Sequence, residues 1–227
     1  MFFIIPKQVE TLPIYSPWAN MALIGVISVV TLLFWGDALS PTTLNAMVLD
    51  GWKPMGLVGH VFLHADMMHL LGNMIFLWVF GNAINAKLGQ IGYLGFFLFC
   101  TLAAAMAHNL FDGGLAIGAS GAVNGIVGFY IALHPLNRIH CFYWVFVKAG
   151  IFTVTGFWLV LFWFILDLWG AFWGTSLIAY WAHIGGLVGG FAVGWILLAS
   201  GKLRMTVYDN PSVVEIATGQ TLEREGF

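Results

Sequence analysis

The sequence predicts an all-α polytopic membrane protein built as a bundle of six transmembrane helices. The chain of 227 residues is 60% hydrophobic and only 8% charged, whereas soluble domains average about 25% charged residues. Several apolar stretches approach the ~20 residues that a helix needs to cross a bilayer. Basic residues also cluster in alternate connecting segments, as expected for successive crossings. The net charge of −2 gives no indication of nucleic-acid binding.

The hydropathy pattern places the first span at about residues 19–35, followed by a long segment, 36–67, that polar residues interrupt. The other spans are predicted at about residues 68–86, 93–110, 120–133, 152–169 and 178–200. Because the spans follow one another closely, we expect one six-span domain over residues 18–200. Residues 1–17 are expected to form a short N-terminal segment and residues 201–227 a polar C-terminal tail.

The basic residues predict the orientation of the bundle. Cytoplasmic segments carry an excess of Lys and Arg. With the N-terminus in the cytoplasm, one basic residue, Lys53, lies on the outer side. The inner side then holds Lys7, Lys87, Arg138, Lys148, Lys202, Arg204 and Arg224. We therefore expect both termini to be cytoplasmic. Since the start of the chain has no transit-peptide pattern, a bacterial inner membrane is favoured.

The fourth span is too short to cross the bilayer by itself. Its 14 residues reach about 21 Å at ~1.5 Å per residue, against a hydrocarbon core of about 30 Å. Either the helix begins inside the membrane, or it starts earlier, within residues 115–119. Non-helical backbone at such depth must be buried in protein or line a wet cavity. The sequence therefore predicts a polar pocket below the outer surface, with Ser120 at its floor and at a helix N-terminus.

Other polar side chains are predicted at the same depth as Ser120. His69 and Asn73 are four residues apart and share one face of the second span. His183 lies near the outer end of the sixth span. Ionisable residues inside a membrane are costly and point to function.

Glycines at four-residue spacing indicate how two of the spans meet. They are Gly121 and Gly125 in the fourth span, and Gly186, Gly190 and Gly194 in the sixth. Small residues at this spacing let membrane helices approach closely, which would bring Ser120 within hydrogen-bond reach of His183. Gly185 and Gly189 lie on a rotated face, where we expect leucine to do less damage than at Gly186 or Gly190.

These residue types suit a serine hydrolase. A serine hydroxyl needs a neighbouring base, a role that His183 suits near neutral pH. The oxyanion needs donors already in place. Backbone N–H groups at a helix N-terminus, the Asn73 amide and the His69 ring could supply them. Asp167, near the outer end of the fifth span, is not assigned to a triad from sequence.

Three motifs, in order, resemble those of rhomboid intramembrane serine proteases. They are "HADMMHLLGNM" (residues 64–74), "GASG" (118–121) and "AHIGG" (182–186). The resemblance implies that Ser120 is the nucleophile and His183 the general base. It also implies that His69, Asn73 and the Ser120 backbone N–H stabilise the oxyanion. The matched supporting positions are Gly118, Gly121 and His64.

The resemblance further implies a six-span rhomboid-like bundle that hydrolyses peptide bonds within or beside the transmembrane segments of substrates, without metal or cofactor. Its partners would be transmembrane protein substrates and the lipid bilayer, and the oligomeric state stays open. Many family members carry a tyrosine four residues after the serine, stacked on the histidine. Here that residue is Asn124, and we predict that it accepts the ring N–H of His183 directly or through one water.

Other functions remain open at this stage. Ser120 could be a packing serine and His183 a structural histidine. The chain could be an inactive rhomboid-like protein that binds membrane clients, although the presence of both Ser120 and His183 argues against this. A metal or haem site could use His64, His69, His108 and His183. The absence of a Cys or carboxylate cluster at ligand spacing argues against such a site.

Overall fold

The computed structural model describes residues 2–9, 16–145, 147–174 and 178–225. Residues 1 and 10–15 of the expected N-terminal segment, and the last two residues of the tail, lie outside this part of the chain. The expected predominance of helices is confirmed.

Nine helices are present in the described residues. They are α1 (Trp18–Trp35), α2 (Pro41–Met47), α3 (Pro54–Gly59), α4 (Met67–Phe76), α5 (Asn82–Phe111), α6 (Ser120–Leu133), α7 (Gly156–Trp173), α8 (Tyr180–Ala199) and α9 (Val213–Thr218). A 3₁₀ turn, His60–Phe62, precedes α4, and a π-helical turn, Leu77–Gly81, joins α4 to α5. The strands are β1 (Phe2–Val9), β2 (Arg138–Val145), β3 (Lys148–Thr155), β4 (Met205–Thr206) and β5 (Arg224–Glu225).

Four helical stretches are long and apolar enough to cross a membrane: residues 18–35, 67–111, 156–173 and 180–199. The stretch of 45 residues bends at Gly89, whose φ of 70° and ψ of 178° are not helical. Glycine adopts such a conformation without steric cost. Counting the two arms around this kink and the shorter apolar helix α6, the structure is compatible with the six expected spans.

Helix α6 is the buried centre of the bundle. Of its 14 residues, all except Ser120 and Asn124 are buried. It packs against α5 and α8. A helix that is apolar on all sides belongs in the interior of a membrane bundle. Because α6 starts at Ser120, its first residue stands at the edge of the buried core.

Helices α6 and α8 pack backbone against backbone. A Cβ atom at Gly186 would overlap the carbonyl oxygen of Gly121, and one at Gly190 would overlap that of Gly125. The glycine contact expected between these helices is therefore present.

The rotated face of α8 is also closely packed. A Cβ at Gly185 would overlap Cβ of Ala107, and one at Gly189 would lie 3.2 Å from Cβ of Ala103. Both alanines belong to α5, so α8 is held closely on two faces. Periodicity alone identified one neighbour of this helix and missed the other.

A three-stranded antiparallel sheet, in the order β1–β2–β3, was not anticipated. Its hairpin pairs Arg138 with Thr155 and Val145 with Lys148. Because β3 occupies residues 148–155, the fifth span starts at Gly156 and not at the expected residue 152. Apolar, β-branched and aromatic residues suit both a sheet and a membrane helix, which explains the error.

The tail folds back on the bundle, where α9 contacts α6 and α8. Asp209 lies 3.6 Å from Nζ of Lys87 and 3.8 Å from Nδ1 of His134. Lys87 and Asp209 are 9% and 11% exposed, so this cluster is shielded from solvent. The Asn210 amide also donates to Oδ1 of Asn137, at 2.9 Å.

We expect Gly186→Ala and Gly190→Ala to lower the apparent Tm in detergent, because the added methyl group meets backbone that cannot rotate away. Overpacking of this kind costs roughly 1–3 kcal/mol. Gly25→Ala and Gly95→Ala are the matched controls, since a Cβ at either helical position meets nothing within 4 Å. Their Tm should be unchanged or higher, because alanine favours helix over glycine by roughly 0.5–1 kcal/mol. Equal Tm changes at all four positions would contradict the glycine contact.

Stability is expected to fall as the pH drops from 7 to 5. Burial lowers the pKa of His134 below its ordinary value of 6.5, and the nearby Asp209 offsets only part of that shift. Below about pH 6.5 the His134 ring therefore takes up a proton in the unfolded chain but not in the folded protein, which favours unfolding. Burial alone would raise the pKa of Asp209, but hydrogen bonds from Thr206 and the charges of His134 and Lys87 lower it. The stability that the ionised Asp209 contributes is lost at still lower pH, where this carboxylate becomes protonated.

The measurement is thermal unfolding followed by tryptophan fluorescence at each pH. His134→Gln should lose less of its Tm between pH 7 and 5 than the wild type, because it lacks the titrating ring. His140→Gln, at a partly exposed histidine of β2, is the control and should keep the wild-type slope. Identical slopes for wild type and His134→Gln would show that His134 does not set the pH dependence.

Candidate active site

A cavity of about 510 Å³ opens where α4, α6 and α8 begin. The predicted site residues on its wall are His69, Asn73, Ser120, Asn124 and His183. The structure therefore brings five polar residues from three separate helices to one pocket, next to the N-terminus of the short helix α6. Four of the five belong to the three motifs, and Asn124 follows the second of them.

A continuous hydrogen-bonded chain crosses this cavity. Ser120 Oγ lies 2.8 Å from Nε2 of His183, and Nδ1 of His183 lies 3.0 Å from Oδ1 of Asp167. A carboxylate accepts a hydrogen bond, so the ring proton belongs on Nδ1. Nε2 then keeps its lone pair and accepts the serine O–H. This is the tautomer that a general base requires.

The backbone leading into α6 leaves the N–H of Ser120 as a candidate donor to a ligand. The N–H of Val123 donates to the carbonyl of Ala119 at 2.9 Å, so the helical ladder begins there. Just before Ser120, the N–H of Gly118 donates to the His60 carbonyl at 2.9 Å, and the N–H of Ala119 points at Nε2 of His64 at 3.4 Å. The Ser120 N–H lies inside the first turn, outside the helical ladder.

Gly118 gives the His69 ring its place. Its φ is +116°, and a Cβ there would lie 2.6 Å from both Cε1 and Nε2 of that ring. Both the conformation and the space require glycine. Asp66 caps α4 by accepting from the His69 N–H at 2.9 Å. The His69 ring is therefore held against the backbone that leads to Ser120.

Asn73 lies one turn further along α4 and is buried at the cavity wall. Its Nδ2 donates to the carbonyl of His69 at 3.0 Å. An amide nitrogen carries two hydrogens, so this bond orients the group and uses one of them. The second hydrogen is the one available to a negatively charged oxygen in the cavity.

His64 supports the site from behind. Its Nδ1 lies 3.0 Å from Oγ1 of Thr31 in α1, and its ring meets that of His69 edge-on at 4.9 Å. Because Nε2 faces the Ala119 N–H, the ring proton belongs on Nδ1. Burial, helped by the nearby His69, lowers the pKa of His64 to about 4 and keeps the ring neutral. His64 thus ties α1 to the loop before α6.

Gly121 matters for packing, since a Cβ there would lie 3.2 Å from the carbonyl oxygen of Ala182.

The predicted contact between Asn124 and His183 is wrong. Nδ2 of Asn124 donates to the Ser120 carbonyl of its own helix at 3.0 Å, whereas Asp167 occupies Nδ1 of His183. Asn124 does line the cavity, as expected from its position one turn below Ser120. The amide of Asn124 instead bonds the backbone carbonyl one turn away, as short polar side chains in helices often do.

Sequence reasoning missed two residues of this region. Asp167 carried a signal, because it is the only Asp or Glu in residues 18–35, 67–111, 120–133, 156–173 and 180–199. Tyr180 carried none. Its ring lies 6.4 Å from that of His183, and a Cβ at Gly170 would overlap it. Tyr180 therefore fills the space between the outer ends of α7 and α8.

The four histidines of the alternative metal site do not converge. His108 lies apart from the cavity wall, with Nε2 3.2 Å from the Gly114 carbonyl and Nδ1 3.4 Å from Asp112. Across the residues that the structure describes, no three His, Cys, Asp or Glu side chains form a group able to hold a metal ion.

Comparison with known proteins agrees with the motifs. Residues 51–200 match the Rhomboid domain family. The chain is 26% identical over 163 residues to "Rhomboid protease GlpG" of Klebsiella pneumoniae, covering 70% of this chain and 53% of that protein. It is 28% identical over 141 residues to the protein of the same name from Salmonella paratyphi A, covering 60% and 46%. The chain thus spans about half the length of these relatives. Since the family match covers most of the sequence, the chain belongs to the rhomboid family.

Proposed function

We propose that this protein is an intramembrane serine endopeptidase that cleaves the transmembrane or juxtamembrane segments of membrane proteins. The observation that carries this proposal is the 2.8 Å contact between Ser120 Oγ and His183 Nε2 at the floor of a cavity beside a helix N-terminus. Both relatives compared above are named as proteases.

The first step is acylation of Ser120. As Oγ attacks the carbonyl carbon of the scissile bond, its proton moves to Nε2 of His183. The peptide nitrogen then leaves with that proton, and an acyl-enzyme ester remains on Ser120. A water molecule entering the polar cavity attacks the ester, with His183 again taking the proton. The second half of the substrate is released and the serine hydroxyl is restored.

Each tetrahedral intermediate places a negative charge on the former carbonyl oxygen. The Ser120 N–H, the His69 ring and the second amide hydrogen of Asn73 are the donors proposed to meet it. All three groups are fixed before substrate arrives. Bonds of Gly118 and Ala119 to His60 and His64 hold the backbone before Ser120. The His69 ring packs on Gly118, and the Asn73 amide is held by the His69 carbonyl. Preorganised donors of this kind contribute roughly 10²–10³-fold each to the rate.

The surroundings of the cavity favour a membrane substrate. Helices α4, α6, α7 and α8 carry the site, and exposed apolar side chains of α7, such as Phe162, Ile165 and Trp169, form a surface suited to lipid. We propose residues 18–200 as the protease domain, with both termini and the tail in the cytoplasm of a bacterial inner-membrane protein. The distribution of Lys and Arg supports this orientation.

The alternative function, an inactive binder of membrane clients, has weaker support. Such a protein has no need of a hydroxyl and an imidazole at hydrogen-bond distance, nor of an imidazole whose second nitrogen faces a carboxylate. The hydrogen-bonded series from Ser120 through His183 to Asp167 therefore favours a catalytic role.

The first test is cleavage of a fluorogenic transmembrane reporter by the detergent-solubilised protein. Wild type should cleave it with or without EDTA, and Ser120→Ala should abolish cleavage and labelling by a fluorophosphonate probe. Gly25→Ala, remote from the cavity, is the control and should behave as wild type. Full activity in Ser120→Ala would refute the nucleophile, and strong inhibition by EDTA would favour a metal-dependent reaction.

A second test separates the base from the oxyanion donors. His183→Ala should be as inactive as Ser120→Ala, because a base and its nucleophile act as one unit. Asn73→Ala should retain measurable activity, reduced roughly 10²–10³-fold, since it removes one donor among several. The measurement is kcat/KM for the reporter. A dispensable His183 together with an indispensable Asn73 would reverse the roles assigned here.

A further inference from the structure

We propose that Asp167 is a positioning residue that completes a Ser120–His183–Asp167 triad. The inference rests on the proposed protease function and adds a residue to its mechanism. It starts from the 3.0 Å contact between Oδ1 of Asp167 and Nδ1 of His183. Both side chains are largely shielded, at 18% and 16% exposure.

The position of Asp167 makes a purely structural role a poor explanation. A carboxylate within a membrane-spanning helix is energetically costly, and such residues pair with a partner and mark function. Within the part of the chain that the structure describes, His183 is the only ion-pair partner of Asp167, and no Lys or Arg balances it. A residue needed only to pack α7 against α8 would be apolar, as most of α7 is.

The contact serves His183 in two ways. In the resting protein the carboxylate holds the proton on Nδ1 and turns Nε2 towards Ser120, so that the base is aligned before substrate binds. When Nε2 takes the serine proton, the ring becomes positively charged, and the carboxylate 3.0 Å away stabilises that charge. Asp167 keeps its own charge throughout, and the proton passes only between Ser120, His183 and the leaving nitrogen.

The replacement of tyrosine by Asn124 fits the same scheme. The resemblance implies that a tyrosine at this position would hold the histidine ring by stacking. Here the Asn124 amide is bonded to the Ser120 carbonyl, and the ring is held from α7 instead. The Asp167 carboxylate of α7 thus orients the His183 ring, in place of a tyrosine ring on α6.

The supports around α7 are consistent with a fixed distance between the two groups. Tyr180, three residues before His183, lies against Gly170, three residues after Asp167. A Cβ at Gly174 would also lie 2.8 Å from the Tyr180 ring. The small residues of α7 therefore let the Tyr180 ring seat between the helices and set the spacing at which Asp167 meets His183.

The test measures kcat and KM for the transmembrane reporter and the rate of fluorophosphonate labelling of Ser120. Asp167→Asn should lower kcat about 10²–10⁴-fold, since an amide in place of the carboxylate fails to hold the correct tautomer. KM should stay within about twofold of wild type because Asp167 does not contact substrate, and labelling should slow in parallel with kcat. Asp167→Glu should recover part of the lost rate. Leu166→Ala, at an exposed neighbour on the same helix, is the control and should match wild type.

Three results would overturn the inference while leaving the proposed function intact. One is a kcat for Asp167→Asn within about threefold of wild type. Another is a raised KM with a lowered Tm, which would indicate loosened packing of α7. The third is no recovery in Asp167→Glu beyond the level of Asp167→Asn. By contrast, a wild-type protein that neither cleaves the reporter nor labels at Ser120 would refute the proposed function itself.

A spectroscopic measurement on wild-type protein covers the case in which these variants fold poorly. In protein labelled with ¹⁵N-histidine, the signals missing from His183→Ala identify His183. They should report a protonated Nδ1 and an unprotonated Nε2 at neutral pH. The reverse tautomer would mean that Asp167 does not orient the ring, and would overturn the proposal.

Discussion

The close approach of α6 and α8 is the constraint on which the rest of the site depends. In a bilayer no hydrophobic force draws helices together, so their separation is set by the packing of their surfaces. Here backbone meets backbone, because Gly186 and Gly190 leave room only for the carbonyls of Gly121 and Gly125. That contact begins at Gly121, the residue after Ser120, and fixes how near the serine comes to His183. A single methyl group between the helices would move Ser120 away from His183.

A second set of contacts holds the start of α6 from the outer side. The loop before it pairs with the segment after α2, where Leu49 and Ala116 exchange two backbone hydrogen bonds. The His60 carbonyl then accepts from the N–H of Gly118, and His64 Nε2 accepts from that of Ala119. His64 is itself bonded to Thr31 in α1. Helices far apart in sequence therefore share the task of holding the backbone at Ser120. A short helix that begins inside the membrane needs such supports, because no lipid can satisfy the polar groups that precede it.

Sequence predicted where each group lies along its helix better than its direction around the helix axis. The start of the fourth span at Ser120 and the meeting of the α6 and α8 glycines followed from span length and spacing. Asp167 was placed at the outer end of the fifth span, but nothing local says which neighbour a helix turns towards. Asn124 was put on the correct face, yet its amide bonded the nearest carbonyl of its own helix. Residues 148–155 suit both strand and membrane helix, and only their pairing with β2 decides between the two.

The direction in which the Asp167 side chain points also decides its energetic effect. A carboxylate facing lipid would have no partner to offset its cost, whereas Asp167 meets the polar Nδ1–H of His183. In the resting site the negative charge is only partly compensated. In the proposed reaction it is compensated fully when His183 gains a proton, as the tetrahedral intermediate forms. Under that proposal the site matches the reacting state better electrostatically than the resting one, and differential stabilisation of that kind lowers a barrier. The cost of placing Asp167 in the membrane and the benefit to the reaction have one physical origin, the low polarity around it.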